Sequence, residues 1–149
     1  MLLPDTNSVT LYTVGHSNRD FDAFAGILRK HGIEVIADVR SSPGSKRFPR
    51  FNRSHLEERL TELEIRYIWF RDLGGFKRAK AEDGSELSGL EGYRAYMGQE
   101  KFRAAVAELL ELAGSQRTAI MCAEKDPGRC HRLLLSEYLE GLGHGVVHL

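Results

Sequence analysis

The sequence predicts a single α/β domain of three layers, a mainly parallel five-stranded sheet with helices on both faces. Three observations predict it. Short apolar runs alternate with stretches whose apolar residues recur at helical spacing, the pattern of successive strand–helix–strand units joined by right-handed crossovers. The 149 residues suit one domain, residues 1–149, that buries its own core. The chemically reactive residues concentrate in a turn between a strand and a helix, where open parallel sheets carry their ligands.

Leu11, Tyr12, Thr13 and Val14 form the first strand and run into the loop Gly15-His16-Ser17-Asn18. Phe21, Phe24, Ile27 and Leu28 then repeat three and four apart, and this first helix stops near His31-Gly32, where glycine suits the left-handed helix end. Ile33 to Val39 is the second strand. Ser54 and Glu57, three apart just ahead of Leu60 and Leu63, match a capping box that opens the second helix. Tyr67 to Phe70 is the third strand. From Arg71 to about Gly98 the period gives way to a glycine-rich, charged segment, longer than ordinary connections and so read as a functional lid or a mobile insertion. Phe102, Val106, Leu109, Leu110 and Ala113 restore the helical period before Gly114. Thr118 to Met121 is the fourth strand, Leu133, Leu134, Leu135, Tyr138 and Leu139 are the buried face of the last helix, and Val146, Val147 and His148 are the fifth strand. No internal repeat or low-complexity tract interrupts this order.

In such a sheet three loops converge on one rim: residues 15–18, Arg40-Ser41-Ser42-Pro43 and the stretch after the fourth strand. Asp38 lies near the end of an otherwise apolar strand, where a carboxylate is expensive to bury alone. Arg40, two residues on, projects from the same face. The two either pair structurally or orient a ligand together.

Met121 to Arg132 reads MCAEKDPGRCHR, two thiols, two acids, an imidazole and two guanidiniums within a dozen positions. Asp126-Pro127-Gly128 marks a turn or helix start. Unpaired N–H groups and the positive dipole at that end welcome a phosphate, sulfate or carboxylate, with Arg129 or Arg132 supplying further donors. The same field would favour the thiolate of Cys130 beside His131 and Arg132. Cys122 is either its redox partner or a buried wall residue, and Glu124 and Arg132 either pair across the turn or serve the site. A tyrosine-phosphatase loop needs five residues between cysteine and arginine, and Cys122 to Arg129 encloses six. Cys122, Cys130, His131 and His16 could supply four ligands to zinc, but the short cysteine pair of structural zinc sites is absent. Neither a phosphate-loop nor a dinucleotide fingerprint is present.

With 21 basic and 21 acidic residues, the neutral total removes the whole-protein argument for nucleic-acid or membrane partners and leaves local patches. One patch runs Arg40, Lys46, Arg47, Arg50 and Arg53 with Phe48 and Phe51 interleaved, and Lys77, Arg78 and Lys80 extend it. Such a loop can track a phosphate backbone and stack on bases, or its phenylalanines simply anchor a solvated loop to the core. No run reaches the ~18 apolar residues of a membrane span, and the amino terminus lacks a signal pattern. These features read as a soluble, cytoplasmic protein with two reduced cysteines.

VGHSN, DVRSSPGS, LGG, MCAEKDPGRCHR and the closing histidine-containing strand together resemble the family catalogued as domain of unknown function 488, from about Leu11 to His148. Members are small prokaryotic-type proteins without an established biochemical activity, so the resemblance implies an α/β fold and a shared site and leaves the reaction open. The signature positions that it implies are Gly15, His16, Ser17, Asp38, Arg40, Pro43, Gly74, Gly75, Cys122, Glu124, Pro127, Cys130, His131 and Arg132.

The expected site therefore draws its chemistry from Cys122, Glu124, Cys130 and His131. Gly15, His16, Ser17, Asp38, Arg40, Ser41, Arg129 and Arg132 are the expected substrate-binding residues. No metal ligands are assigned, and the cofactor is left unidentified. The first expectation is a protein that binds a small anionic, phosphorylated or nucleotide-like ligand, with enzymatic activity left open. The alternative is a nucleic-acid-binding module using the basic loop 40–53, and a purely structural or partner-binding protein ranks last.

Overall fold

The computed structural model describes residues 8–44, 48–75, 79–80, 83–87, 89–124 and 131–149. In chain order these form β1 (Thr10–Gly15), α1 (Phe21–Lys30), β2 (Val35–Asp38), a 3-10 turn at Pro49–Phe51, α2 (Arg53–Glu62), β3 (Arg66–Trp69) and a second 3-10 turn at Arg71–Leu73. Then follow β4 (Ala79–Lys80), β5 (Glu86–Leu87), α3 (Gly89–Tyr96), α4 (Glu100–Ser115), β6 (Thr118–Cys122), α5 (His131–Gly141) and β7 (Gly145–His148). The order across the main sheet is β3-β2-β6-β1-β7. Every neighbouring pair in it is parallel, while β4 and β5 form a separate antiparallel pair.

The predicted three-layer α/β domain is thus observed, and its sheet is parallel throughout. All residues of β2 and β6 are buried, as expected of central strands covered on both faces. Alternate residues point to opposite layers. Val14, Ile36, Ala119 and Met121 pack with Phe21, Phe24 and Leu28 of α1 and Leu56 and Leu60 of α2. Leu11, Ala37, Ile120 and Cys122 pack with Tyr93, Phe102, Leu109 and Leu135 of α3, α4 and α5. Phe24 and Leu28 are fully buried, each stabilising the fold by roughly 1.5–3 kcal/mol.

Local chemistry sets the helix ends. Asp20 accepts a hydrogen bond from the Ala23 N–H at 2.7 Å and starts α1, and Gly32, at φ +65°, follows its end. The capping-box expectation at Ser54 and Glu57 is corrected: α2 is capped at Asn52, and both residues lie inside the helix. The 3-10 turn at Pro49–Phe51 feeds directly into the helix, so Leu56 N–H already donates to Asn52 O at 2.8 Å. The segment from Arg71 to Gly98, in which no period was legible, contains α3, and the Tyr93 and Tyr96 rings are part of the core. Among the described residues, no helix is long and apolar enough to cross a membrane.

The strand order positions the site. The chain travels from β1 to β2 to β3 through α1 and α2 on one face, then returns to β6 and β7 through α3, α4 and α5 on the other. At the carboxyl edge, β6 therefore sends its chain to one face while its neighbours β1 and β2 send theirs to the other. Loops that part in this way open a crevice beyond the strand ends.

Candidate ligand-binding site

Beneath that crevice lies a buried polar network. Arg40 Nε donates to Asp38 Oδ1 at 2.9 Å and Nη2 donates to Oδ2 at 2.7 Å, a two-pronged ion pair between residues 7% and 0% exposed. A buried pair needs such further hydrogen bonds to offset desolvation. Here the Arg40 main-chain N–H also donates to Oδ1, and the Tyr67 hydroxyl donates to Oδ2. Arg40 Nη1 donates to Phe51 O at 2.7 Å, while Trp69 Nε1 donates to Arg40 O at 2.8 Å. Burial, reinforced by the neighbouring Asp38, raises the Tyr67 phenol above its ordinary range and keeps it a donor.

His16 completes the network from the loop that follows β1. Its ring stacks on Phe51 at 4.5 Å, its Nδ1–H donates to Ser17 O at 3.0 Å, and Nε2 faces Arg40 Nη1 at 3.4 Å. A guanidinium only donates, so Nε2 is the acceptor and the imidazole is neutral. Burial is the largest influence on it and, with Arg40 close by, pulls its pKa down to about 4 against the opposing pull of the Ser17 carbonyl and Asp38.

Three loops are sewn together above this floor. His16 N–H donates to Cys122 O and Ser17 N–H to Ala123 O, while Val39 N–H donates to Met121 O. Cys122 Sγ donates to Glu124 O at 3.4 Å. His131, the first residue of α5, donates from Nε2 to Val39 O at 2.8 Å, and its ring lies 4.9 Å from that of Tyr93. Gly74 and Gly75 are required by close approach. A Cβ on Gly74 would stand 2.6 Å from Ser41 Cα, and one on Gly75 would stand 2.5 Å from His131 Nδ1. A cavity of about 370 Å³ opens here between the ends of β2 and β6, walled by Arg40, Ser41 and Ser42 on one side and Cys122, Ala123, Glu124 and His131 on the other. Gly75, Gly89 and Leu90 close its third side.

A family model described as Domain of unknown function DUF488 matches residues 20–139. The chain belongs to this family. No curated protein and no solved structure matches the chain. In this DUF488 domain the matched stretch takes in Asp38, Arg40, Gly74, Gly75, Cys122, Glu124 and His131, whereas the loop carrying Gly15, His16 and Ser17 precedes it.

Of the residues expected at the site, Arg40, Ser41, Cys122, Glu124 and His131 meet on the cavity wall. Asp38 and His16 lie behind Arg40. Gly15 is level with Cys122 across the β1–β6 ladder. Cys130 and Arg129 lie outside the described residues, as do Lys46, Arg47, Lys77 and Arg78 of the basic patch. Arg132 is buried, and Nη2 donates to the main-chain oxygen of Glu124 at 3.2 Å. What joins the two residues is this bond to a main-chain oxygen and not the expected ion pair of side chains, and Cys122 donates to the same oxygen as the chain leaves β6. Arg50 turns inward, donating to Arg19 O and Asn18 O at 2.7 and 2.8 Å beneath the Phe48 and Phe51 rings. Sequence reasoning missed Tyr67, Trp69 and Leu90, and named Ser42 only as part of the rim loop 40–43. Tyr67 and Trp69 left one signal, their alternation on the predicted third strand, whose place beside Asp38 only the structure shows.

Proposed function

We propose that this DUF488 domain binds a small anionic, nucleotide-like ligand in the crevice between the ends of β2 and β6. The observation that carries the reading is the 370 Å³ cavity at the point where the chain switches faces, within the roughly 300–1,000 Å³ span of small-molecule sites. In this reading Ser41, Ser42, Ala123 and the start of α5 hold the ligand, with Arg129 and Arg132 favouring its negative end. Gly15, His16, Ser17, Asp38 and Arg40 hold the three loops in register beneath it. Cys122, Glu124, Cys130 and His131 are the groups at hand for chemistry. A cytoplasmic location, where both thiols stay reduced, accords with this role.

The nucleic-acid reading of loop 40–53 has less support, because Arg50 is engaged by two carbonyls and Phe51 is fully buried. It predicts affinity that falls steeply with salt. A thermal-shift screen with adenosine and guanosine phosphates and sugar phosphates tests the favoured reading. At a hundred times its dissociation constant a true ligand adds about 2.7 kcal/mol. Ala123→Glu, at an exposed position on the wall, should abolish that stabilisation by filling the crevice with a charged side chain. A silent screen, or a hit untouched by Ala123→Glu, refutes the proposal.

A further inference from the structure

We infer that the crevice receives the uncharged ring of a nucleoside, seated against Leu90, and that the ligand's charged end lies outside it. This rests on the ligand-binding reading above and narrows it. Cys122, Ala123, Gly75, Gly89 and Leu90 make the wall mainly apolar. Leu90, in the first turn of α3, is 48% exposed, and the other large exposed hydrophobics among the described residues, Leu142 and Val147, lie away from the cavity wall. A concave site whose wall is mainly apolar receives the apolar part of its ligand, and Leu90 stands at its mouth.

Charge argues the same way. Among the described residues Arg40 is the only guanidinium or ammonium on the wall. It is 7% exposed, its charge is matched by Asp38, and Nη1 is directed to Phe51 O. Glu124 stands on the opposite side. A phosphate entering between them would exchange its water for a carboxylate and an already balanced cation, at a large desolvation cost. A flat heterocycle avoids that cost. Its ring lies on Leu90 and Ala123, while the hydroxyls of Ser41 and Ser42 and the Glu124 carboxylate meet ring N–H and amino groups at its edge.

Isothermal titration of the full chain with adenosine, guanosine, cytidine and uridine, their 5′-monophosphates, ribose 5-phosphate and inorganic phosphate tests the inference. The expected result is at least one neutral nucleoside that binds within about tenfold of its monophosphate. Leu90→Asp should weaken both by at least about tenfold. Leu142→Asp, at a site 47% exposed and off the cavity wall, should leave both unchanged. Ribose 5-phosphate or phosphate binding as tightly as the monophosphates, with the nucleosides silent, overturns the ring assignment and leaves the ligand-binding reading standing. Unaltered nucleoside affinity in Leu90→Asp also overturns the assignment. Binding by none of the compounds overturns the ligand-binding reading itself, and this inference with it.

Discussion

Acidification should destabilise this domain through His16, by an amount that its surroundings set. In the unfolded chain the imidazole takes up a proton near its ordinary pKa of 6.5, and in the folded chain only near about 4, because burial beside Arg40 disfavours the cation. Between those values the unfolded state binds more protons, so stability rises with pH there. The contribution is complete above the unfolded pKa, falls as pH drops through the window, and is gone below the folded pKa. The gap corresponds to about 3 kcal/mol in full and about 2 kcal/mol at pH 5. Urea unfolding at pH 8 and pH 5, followed by fluorescence of the single tryptophan, Trp69, reads this loss. His16→Gln keeps an acceptor for Arg40 Nη1 and removes the titration. Its own loss between the two pH values should be smaller than wild type's by about 2 kcal/mol, or roughly 4–8 °C in melting temperature for a domain of this size. Equal losses in the two proteins would refute the assignment of a buried neutral imidazole.

Four further substitutions probe the floor and the frame of the crevice and one helix end. Asp38→Ala leaves the Arg40 guanidinium buried without its counter-charge and should lower unfolding free energy by about 3–5 kcal/mol in urea titrations. Gly74→Ala drives a methyl group into the Ser41 backbone, whereas Gly75→Ala meets the His131 side chain, which gives way only by loosening its hydrogen bond to Val39 O. Both should destabilise by about 1–3 kcal/mol, with Gly74→Ala the worse by thermal denaturation and Gly75→Ala the more damaging to ligand affinity. Asp20→Ala removes the cap on Ala23 N–H and should cost about 1 kcal/mol with no change in ligand affinity by titration calorimetry.

The alternation of strands and helices was legible because buried strands and amphipathic helices have different apolar periods. The order β3-β2-β6-β1-β7 was not, since strand adjacency is decided by contacts between segments far apart in the chain. The start of α2 was misplaced because Ser54 and Glu57 match a capping box by spacing alone, and the tertiary turn at Pro49–Phe51 starts the helix earlier. α3 escaped notice because its buried face is only Gly92, Tyr93 and Tyr96, too short to stand out beside Gly89 and the charges before it. The Asp38–Arg40 pair could be read from strand alternation. The partners that complete it could not: Tyr67 lies 29 residues from Asp38 and His16 lies 24 from Arg40. Leu90 carried no signal, as an isolated leucine in a polar segment resembles any other.

The central claim is that ligand binding occurs in the crevice between β2 and β6, and residue-resolved NMR during titration with adenosine 5′-monophosphate tests it most directly. The account predicts saturable amide shifts gathered at Ser41, Ser42, Gly75, Leu90, Ala123, Glu124 and His131, on both sides of the cavity. Shifts gathered instead on Phe48 to Arg53, or none up to saturating nucleotide, would contradict it.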